Sequence, residues 1–151
     1  MEEITLKSFH DSMIEYRIQL ANDKIQAAYR GLMDYFHAMQ RYFRQNYPDH
    51  IVSSRVYYGY MDMTYFSFFP KSFKRRRLKV AIVFLHEAFR FEAWLVGNNR
   101  TVQRKYWKLF TESDWQTYHV TTPAKGVDAI VDHIIISEPD FQDLNALTKQ
   151  I

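Results

Sequence analysis

Asp62, His86, Glu87 and Glu92 are the ionisable residues that stand in or at the ends of the most apolar stretches of this chain. One imidazole with two or three carboxylates is what a divalent metal site or a proton-transfer pair requires. Their positions also allow plainer roles. His86-Glu87 falls where a tight turn is expected, and Glu92 alternates with Arg90, which reads as a solvent-facing ion pair along a strand. The remaining histidines, His10, His37, His50, His119 and His133, are scattered, and no two stand four apart as paired ligands on one helix face would. There is no nucleophile–base motif and no glycine-rich phosphate loop. An enzyme centred on Asp62, His86 and Glu92 therefore ranks third among three readings, and no catalytic residue, metal or cofactor is assigned.

Aromatic rings offer a second chemistry. The stretch GYMDMTYFSFFP, residues 59–70, is dense in rings around the lone carboxylate of Asp62. Tyr57, Tyr58, Tyr60, Tyr65, Trp94, Tyr106 and Trp107 could wall a pocket for a flat organic ligand. The site assigned to this reading is Tyr58, Tyr60, Asp62, Arg90, Glu92 and Trp94. The plainer role for such strands is core packing. YYGYMDMTYF does not match the Lys/Arg-Gly-aromatic order of the RNA-recognition strand.

A third chemistry is phosphate binding. Lys71, Lys74, Arg75, Arg76, Arg77 and Lys79 form the densest positive run, and Arg100, Arg104, Lys105 and Lys108 recur on a helix after Trp94. A nucleic-acid reading rests on Lys74, Arg75, Arg76, Arg77, Arg100 and Arg104 and ranks second. The run alone is what a solvated hairpin connection carries to protect a sheet edge. Asn98 and Asn99 precede the helix, so its first N–H groups could receive an anion; the plainer role, which we favour, is N-capping, worth about 1 kcal/mol.

These residues must be positioned by regular elements. At 151 residues the chain has the length of one domain, and we read residues 1–151 as such. The net charge of +3 is too small to imply nucleic acid by itself. Cysteine is absent, which excludes disulfides and thiolate metal sites. No apolar run reaches the roughly 20 residues of a membrane span. The opening MEEITLKSFHD lacks the order of a signal peptide, so a cytoplasmic location is expected.

Ser8 to Leu20 reads as a short amphipathic helix, and Asn22-Asp23 as the cap of the next. In that next helix Ile25, Tyr29, Leu32, Phe36, Met39 and Phe43 recur at steps of four and three, and Tyr47-Pro48 ends it. Strands are then expected at Ile51–Tyr60, Asp62–Phe69, Leu78–His86 and Phe89–Val96, with a bend at Gly59. Their short connections imply an antiparallel meander. A helix follows over Arg100–Phe110, then a short edge strand over Gln116–Thr121. Val127, Ile130, Val131, Ile134 and Ile135 fit helical spacing, and Glu138-Pro139-Asp140 reads as a stop followed by a cap, after which a last helix runs to about Lys149. The fold class is α+β: a meander of four or five strands with a long N-terminal helix and C-terminal helices packed on the sheet.

Over residues 62–69, Asp62, Thr64, Phe66 and Phe68 face one way and Met63, Tyr65, Ser67 and Phe69 the other. Both sets are largely apolar, so each face of the sheet needs a cover: a helix, a second copy of the chain as a homodimer, or a ligand. The first-ranked function is therefore a non-enzymatic module that uses this aromatic face for a small-molecule ligand or a partner subunit. A nucleic-acid partner ranks below it, and no membrane partner is expected.

GYMDMTYFSFFPKSF, FEAWLVGNNRTVQRKYWKLF, AAYRGLMDYFHAMQRYF and EPDFQDLNALTKQI resemble a family of small uncharacterised bacterial proteins described as a domain of unknown function. The resemblance covers the chain from about residue 24 onward and implies no activity, cofactor or site. A fainter likeness is to nuclease-like domains in which an acidic strand residue precedes Glu-x-Lys on a later strand. Asp62 could be the acid, but Glu92-Ala93-Trp94 has tryptophan where the lysine belongs, which argues against metal-dependent cleavage.

Overall fold

The computed structural model describes residues 6–113, 119–121 and 129–151. The chain divides into two compact units, one up to Tyr35 and one from Phe36 onward. In the first unit, α1 (Leu6–Leu20) buries none of its residues, although Phe9, Met13, Ile14 and Ile18 are apolar. It ends in a turn where Asp23 takes φ 63° and the Asn22 carboxamide accepts the Lys24 N–H at 3.2 Å. Helix α2 (Lys24–Asn46) starts there, and the unit boundary falls within it.

The second unit is built on a six-stranded antiparallel sheet. Its strands are β1 (His50–Val52), β2 (Met63–Pro70), β3 (Leu78–Leu85), β4 (Arg90–Gly97), β5 (His119–Val120) and β6 (Ala129–Ile136), in the spatial order β1-β2-β3-β4-β6-β5. The first four make the expected meander. A 3₁₀ turn, Lys71–Phe73, joins β2 to β3, α3 (Arg100–Glu112) follows β4, and α4 (Leu144–Gln150) closes the chain.

Three expectations change. The strand expected over Ile51–Tyr60 shrinks to His50–Val52 plus a lone bridge between Tyr57 and Tyr65. The Ser53 and Arg55 carbonyls, which a ladder would use, instead accept from the Gln40 carboxamide at 2.8 and 3.2 Å. Arg44 also donates to Ser53 at 2.8 Å. The segment around Ile130 is strand β6, not a helix, and joins β4 to β5. Its ladder slips at Phe91/Glu92 and again at Leu95/Val96. Slips of this kind break strict alternation, so neighbours such as Ile130 and Val131 are both buried and mimic a helical period. Val127 and residues 116–118 of the expected edge strand lie outside the described residues. The last helix is capped by Asp143, whose carboxylate accepts the Ala146 N–H at 3.1 Å, rather than by Asp140.

The register fixes which side chains share a face. Thr64, Phe84 and Phe91 stand in one row, and Phe66, Ile82 and Ala93 in the next. The second half of α2 packs on this face. Phe36 meets Phe66 and Phe91, each at 6.1 Å between ring centres, and Phe43 meets Phe66 at 5.5 Å and Phe68 at 5.0 Å. Farther along the same face, Leu78, Leu95 and Val131 pack with Val102, Tyr106, Trp107 and Phe110 of α3.

The turn before β2 depends on Gly59, at φ 74°. A Cβ there would stand 2.1 Å from the Met63 carbonyl oxygen. Gly59→Ala is expected to lower the unfolding free energy by about 1–3 kcal/mol in urea denaturation. Gly31→Ala, in α2 with nothing within 4 Å of the new Cβ, should instead raise it by about 0.5–1 kcal/mol. Equal effects would contradict the turn geometry.

Candidate functional site

Opposite the helix-packed face, the alternate residues form a second surface. Met63, Tyr65 and Ser67 come from β2, Lys79, Ala81 and Val83 from β3, and Arg90, Glu92, Trp94 and Val96 from β4. Ala81 is the small residue in a strand otherwise made of Leu, Lys, Val, Ile and Phe. Its place in the register, beside Trp94 and between Val83 and Lys79, leaves a hollow in the sheet. A cleft of about 230 Å³ lies there. Tyr65, Met63, Ala81, Trp94, Lys79 and Val96 line its sheet side, and Gly97 to Arg100 with Gln103 line its end.

The end of the cleft is the start of α3. Asn99 is its N-cap, and its side chain accepts the Val102 N–H at 2.9 Å. Gly97 lets the first turn come close, since a Cβ on it would stand 2.8 Å from the Gln103 nitrogen. The Asn98 N–H donates to the Arg77 carbonyl at 2.9 Å, so the basic turn before β3 and the head of α3 adjoin.

Glu92 fixes the Trp94 ring. It is 3 % exposed, yet each carboxylate oxygen is satisfied. One accepts from the Trp94 indole N–H at 3.0 Å, and the other from Arg90 Nε at 2.7 Å. A buried carboxylate needs such compensation. The Arg90–Glu92 pair was expected on the solvent side of the strand, whereas its acid is buried and supports the tryptophan.

The other assigned residues lie elsewhere. Tyr58 joins its hydroxyl to His37 Nε2 at 3.0 Å. Tyr60 is 93 % exposed in the turn. Asp62 accepts the Tyr60 N–H at 2.9 Å, and the backbone N–H groups of Tyr60 and Met63 hold its carboxyl below the ordinary 3.8. Tyr57 stacks on Tyr65 at 4.9 Å. Tyr106 and Trp107 belong to the α3 core, where the Trp107 indole donates to the Thr121 carbonyl. Lys74, Arg75, Arg76 and Arg77 are exposed in the turn before β3, and Arg100 and Arg104 on α3.

The structure brings Asp62 and His86 together but not Glu92. The His86 N–H donates to the Asp62 carbonyl at 3.0 Å. His86 Nε2 is 2.8 Å from Thr64 Oγ1, on the helix-packed face, whereas Glu92 is on the other. The Thr64 hydroxyl gives its one proton to the Tyr58 carbonyl at 2.8 Å, so Nε2 must be the donor to it. Thr64 is fully buried, and its hydroxyl is a structural link rather than a nucleophile awaiting a base. Among the described residues no three His, Asp or Glu side chains converge as metal ligands.

With this geometry in hand, comparison with known proteins gives one match. The chain belongs to the family described as a domain of unknown function, DUF7000. The family model spans residues 9–151, more than the resemblance seen in the sequence. No curated protein and no solved structure matches the chain. No described helix is long and apolar enough to cross a membrane.

Sequence reasoning gave Lys79 and Tyr65 only as members of larger sets, and passed over Ala81, Val96, Gly97 and Gln103. The signal was the single small residue among large ones in β3, legible only once the register is known.

Burial holds the His86 pKa below the ordinary 6.5, with the Asp62 charge opposing it. A histidine depressed in the fold favours the neutral form, so its contribution to stability is complete above pH 6.5 and is lost as pH falls from there towards the folded value. NMR titration should give the His86 ring a midpoint below 6.5, and Asp62→Asn should lower it further. A midpoint at or above 6.5 would contradict this placement.

Proposed function

We propose that this protein is a non-enzymatic binding module and that its ligand is a small molecule with a flat ring, held in the cleft over Tyr65, Ala81 and Trp94. The observation that carries the reading is the cleft itself, on the sheet face opposite Phe36 and Phe43. Half-buried Tyr65 and Trp94 keep ring surface for stacking, and Ala81 gives depth between them. Glu92 holds the indole by its N–H, so the ring is ordered before a ligand arrives and less side-chain entropy is lost on binding. Binding rather than chemistry is supported by the commitments of the reactive groups: Glu92 to Arg90 and Trp94, and Thr64 to Tyr58 and His86.

A second reading, nucleic-acid binding, draws on the Asn98–Arg77 hydrogen bond, which sets the Lys74–Arg77 turn beside the head of α3. Fluorescence anisotropy with a mixed-sequence 12-nucleotide strand at low salt tests it. No change would remove that reading and leave the first standing.

The test of the ring-binding reading uses uncharged rings. Adenosine or indole, titrated into the full chain, should shift the backbone amide signals of Ala81, Val96 and Gly97. Trp94→Leu keeps apolar bulk and removes the stacking surface. It should weaken the binding about tenfold, in line with the roughly 1–3 kcal/mol of a base–aromatic stack. Absence of shifts with both rings, or shifts confined to another part of the chain, would overturn the reading.

A further inference from the structure

We infer that α1 is a dimerisation helix: a second copy of this chain lays its own α1 along the seam formed by Leu6, Phe9, Met13, Tyr16 and Leu20. The inference goes beyond the cleft and is independent of what binds there.

The spacing carries it. These five residues recur at steps of three, four, three and four, the heptad pattern of a helix that packs on another helix. At 3.6 residues per turn they fall within about 80° of arc. That stripe is too narrow to cover a sheet and suits one facing helix. A groove runs beside it, and Met13, Tyr16, Arg17 and Leu20 are among the residues that line it. Their spacing, i, i+3, i+4 and i+7, encloses the four-cornered hole that receives a side chain from a facing helix. No residue of α1 is buried, and Leu6, Phe9, Met13 and Tyr16 are 46–89 % exposed. A lone helix of 15 residues is marginal in water, so its apolar stripe needs a cover.

Charge selects the occupant. A helix that lies on a lipid surface carries a polar face rich in Lys and Arg. In α1, Lys7 and Arg17 are offset by Asp11 and Glu15, and the two acids hold the side facing away from the seam. Nothing in that arrangement attracts anionic lipid. The seam itself has no ionised residue, so two copies meet without desolvating a charge. Every chain carries the same seam, as a two-fold interface requires.

Area sets the strength. The four open side chains offer roughly 500 Å² per copy. Two copies together bury roughly 1,000 Å², the lower limit for a specific interface. The dimer is accordingly reversible, with a Kd on the order of 10 μM or weaker.

Sedimentation equilibrium of the full chain from about 1 to about 500 μM spans that Kd and should show a monomer–dimer equilibrium. Met13→Lys puts a charge in the middle of the seam and should weaken the dimer at least about tenfold. Phe9→Lys, one turn earlier, should do the same. Ile18→Lys puts the same charge at an open apolar residue on the far side of the helix and should leave the affinity unchanged. Since α1 contributes no buried residue, all three variants keep the packed core, which the urea-unfolding midpoint checks. A chain that stays monomeric across the range overturns the inference. So does a dimer that Met13→Lys and Phe9→Lys leave intact, or one that Ile18→Lys weakens equally. Binding of a monomeric chain to phosphatidylserine vesicles, abolished by Met13→Lys, would also overturn it and assign the seam to a lipid surface.

Discussion

Phe36 and Phe43, two turns apart on α2, press against Phe66, Phe68 and Phe91 and thereby decide which face of the sheet is closed. Phe36, Phe66 and Phe91 are at most 1 % exposed, and burying side chains of this size stabilises the packed face by about 1.5–3 kcal/mol each. Once that face is fixed, the pleat leaves no freedom in the other. Each residue between two packed ones must point away, so Phe66 facing α2 requires Tyr65 to face the cleft. A register slip of one residue would exchange Phe66 for Tyr65 and bring Lys79 into the core.

The cleft follows from that alternation and from two local devices. Ala81 supplies the missing volume, since its neighbours on the strand are Val80 and Ile82 and those on its face are Lys79 and Val83. Gly97 lets the first turn of α3 stand against the end of β4, so the helix head and the sheet share one concavity. Glu92 is the remaining element. Its burial would be costly for an unpaired carboxylate, and its partners are the residues on either side of it along the face. The ion pair and the indole hydrogen bond together make a buried acid into a support for a ring.

Much of the fold was legible in the sequence, because long elements with one period declare themselves. The spacing of Phe36, Met39 and Phe43 marked the packed stripe of α2, and the alternation in FRFEAWLV placed Trp94 opposite Phe91 and Leu95 correctly. What stayed hidden depended on partners. Strand β6 looked helical because the slip in its ladder at Leu95/Val96 put adjacent Ile130 and Val131 in the core. The strand expected at Ile51–Tyr60 was cut short because α2 side chains captured its carbonyls. The site was legible in kind rather than in membership. The need for a cover on a second apolar face was visible in residues 62–69, but the cross-strand neighbours of Ala81 and the adjacency of Asn98 to Arg77 arise only from pairing between distant segments.

The central claim is that the sheet has a closed phenylalanine face and, opposite it, a face on which Tyr65 and Trp94 stay half-buried at a cleft, and hydroxyl-radical footprinting read by mass spectrometry tests it most directly. The account predicts oxidation at Met63, Tyr65 and Trp94, with Phe36, Phe66 and Phe91 protected until the chain unfolds. Protection of Tyr65 and Trp94 equal to that of Phe66 in the folded protein would contradict it.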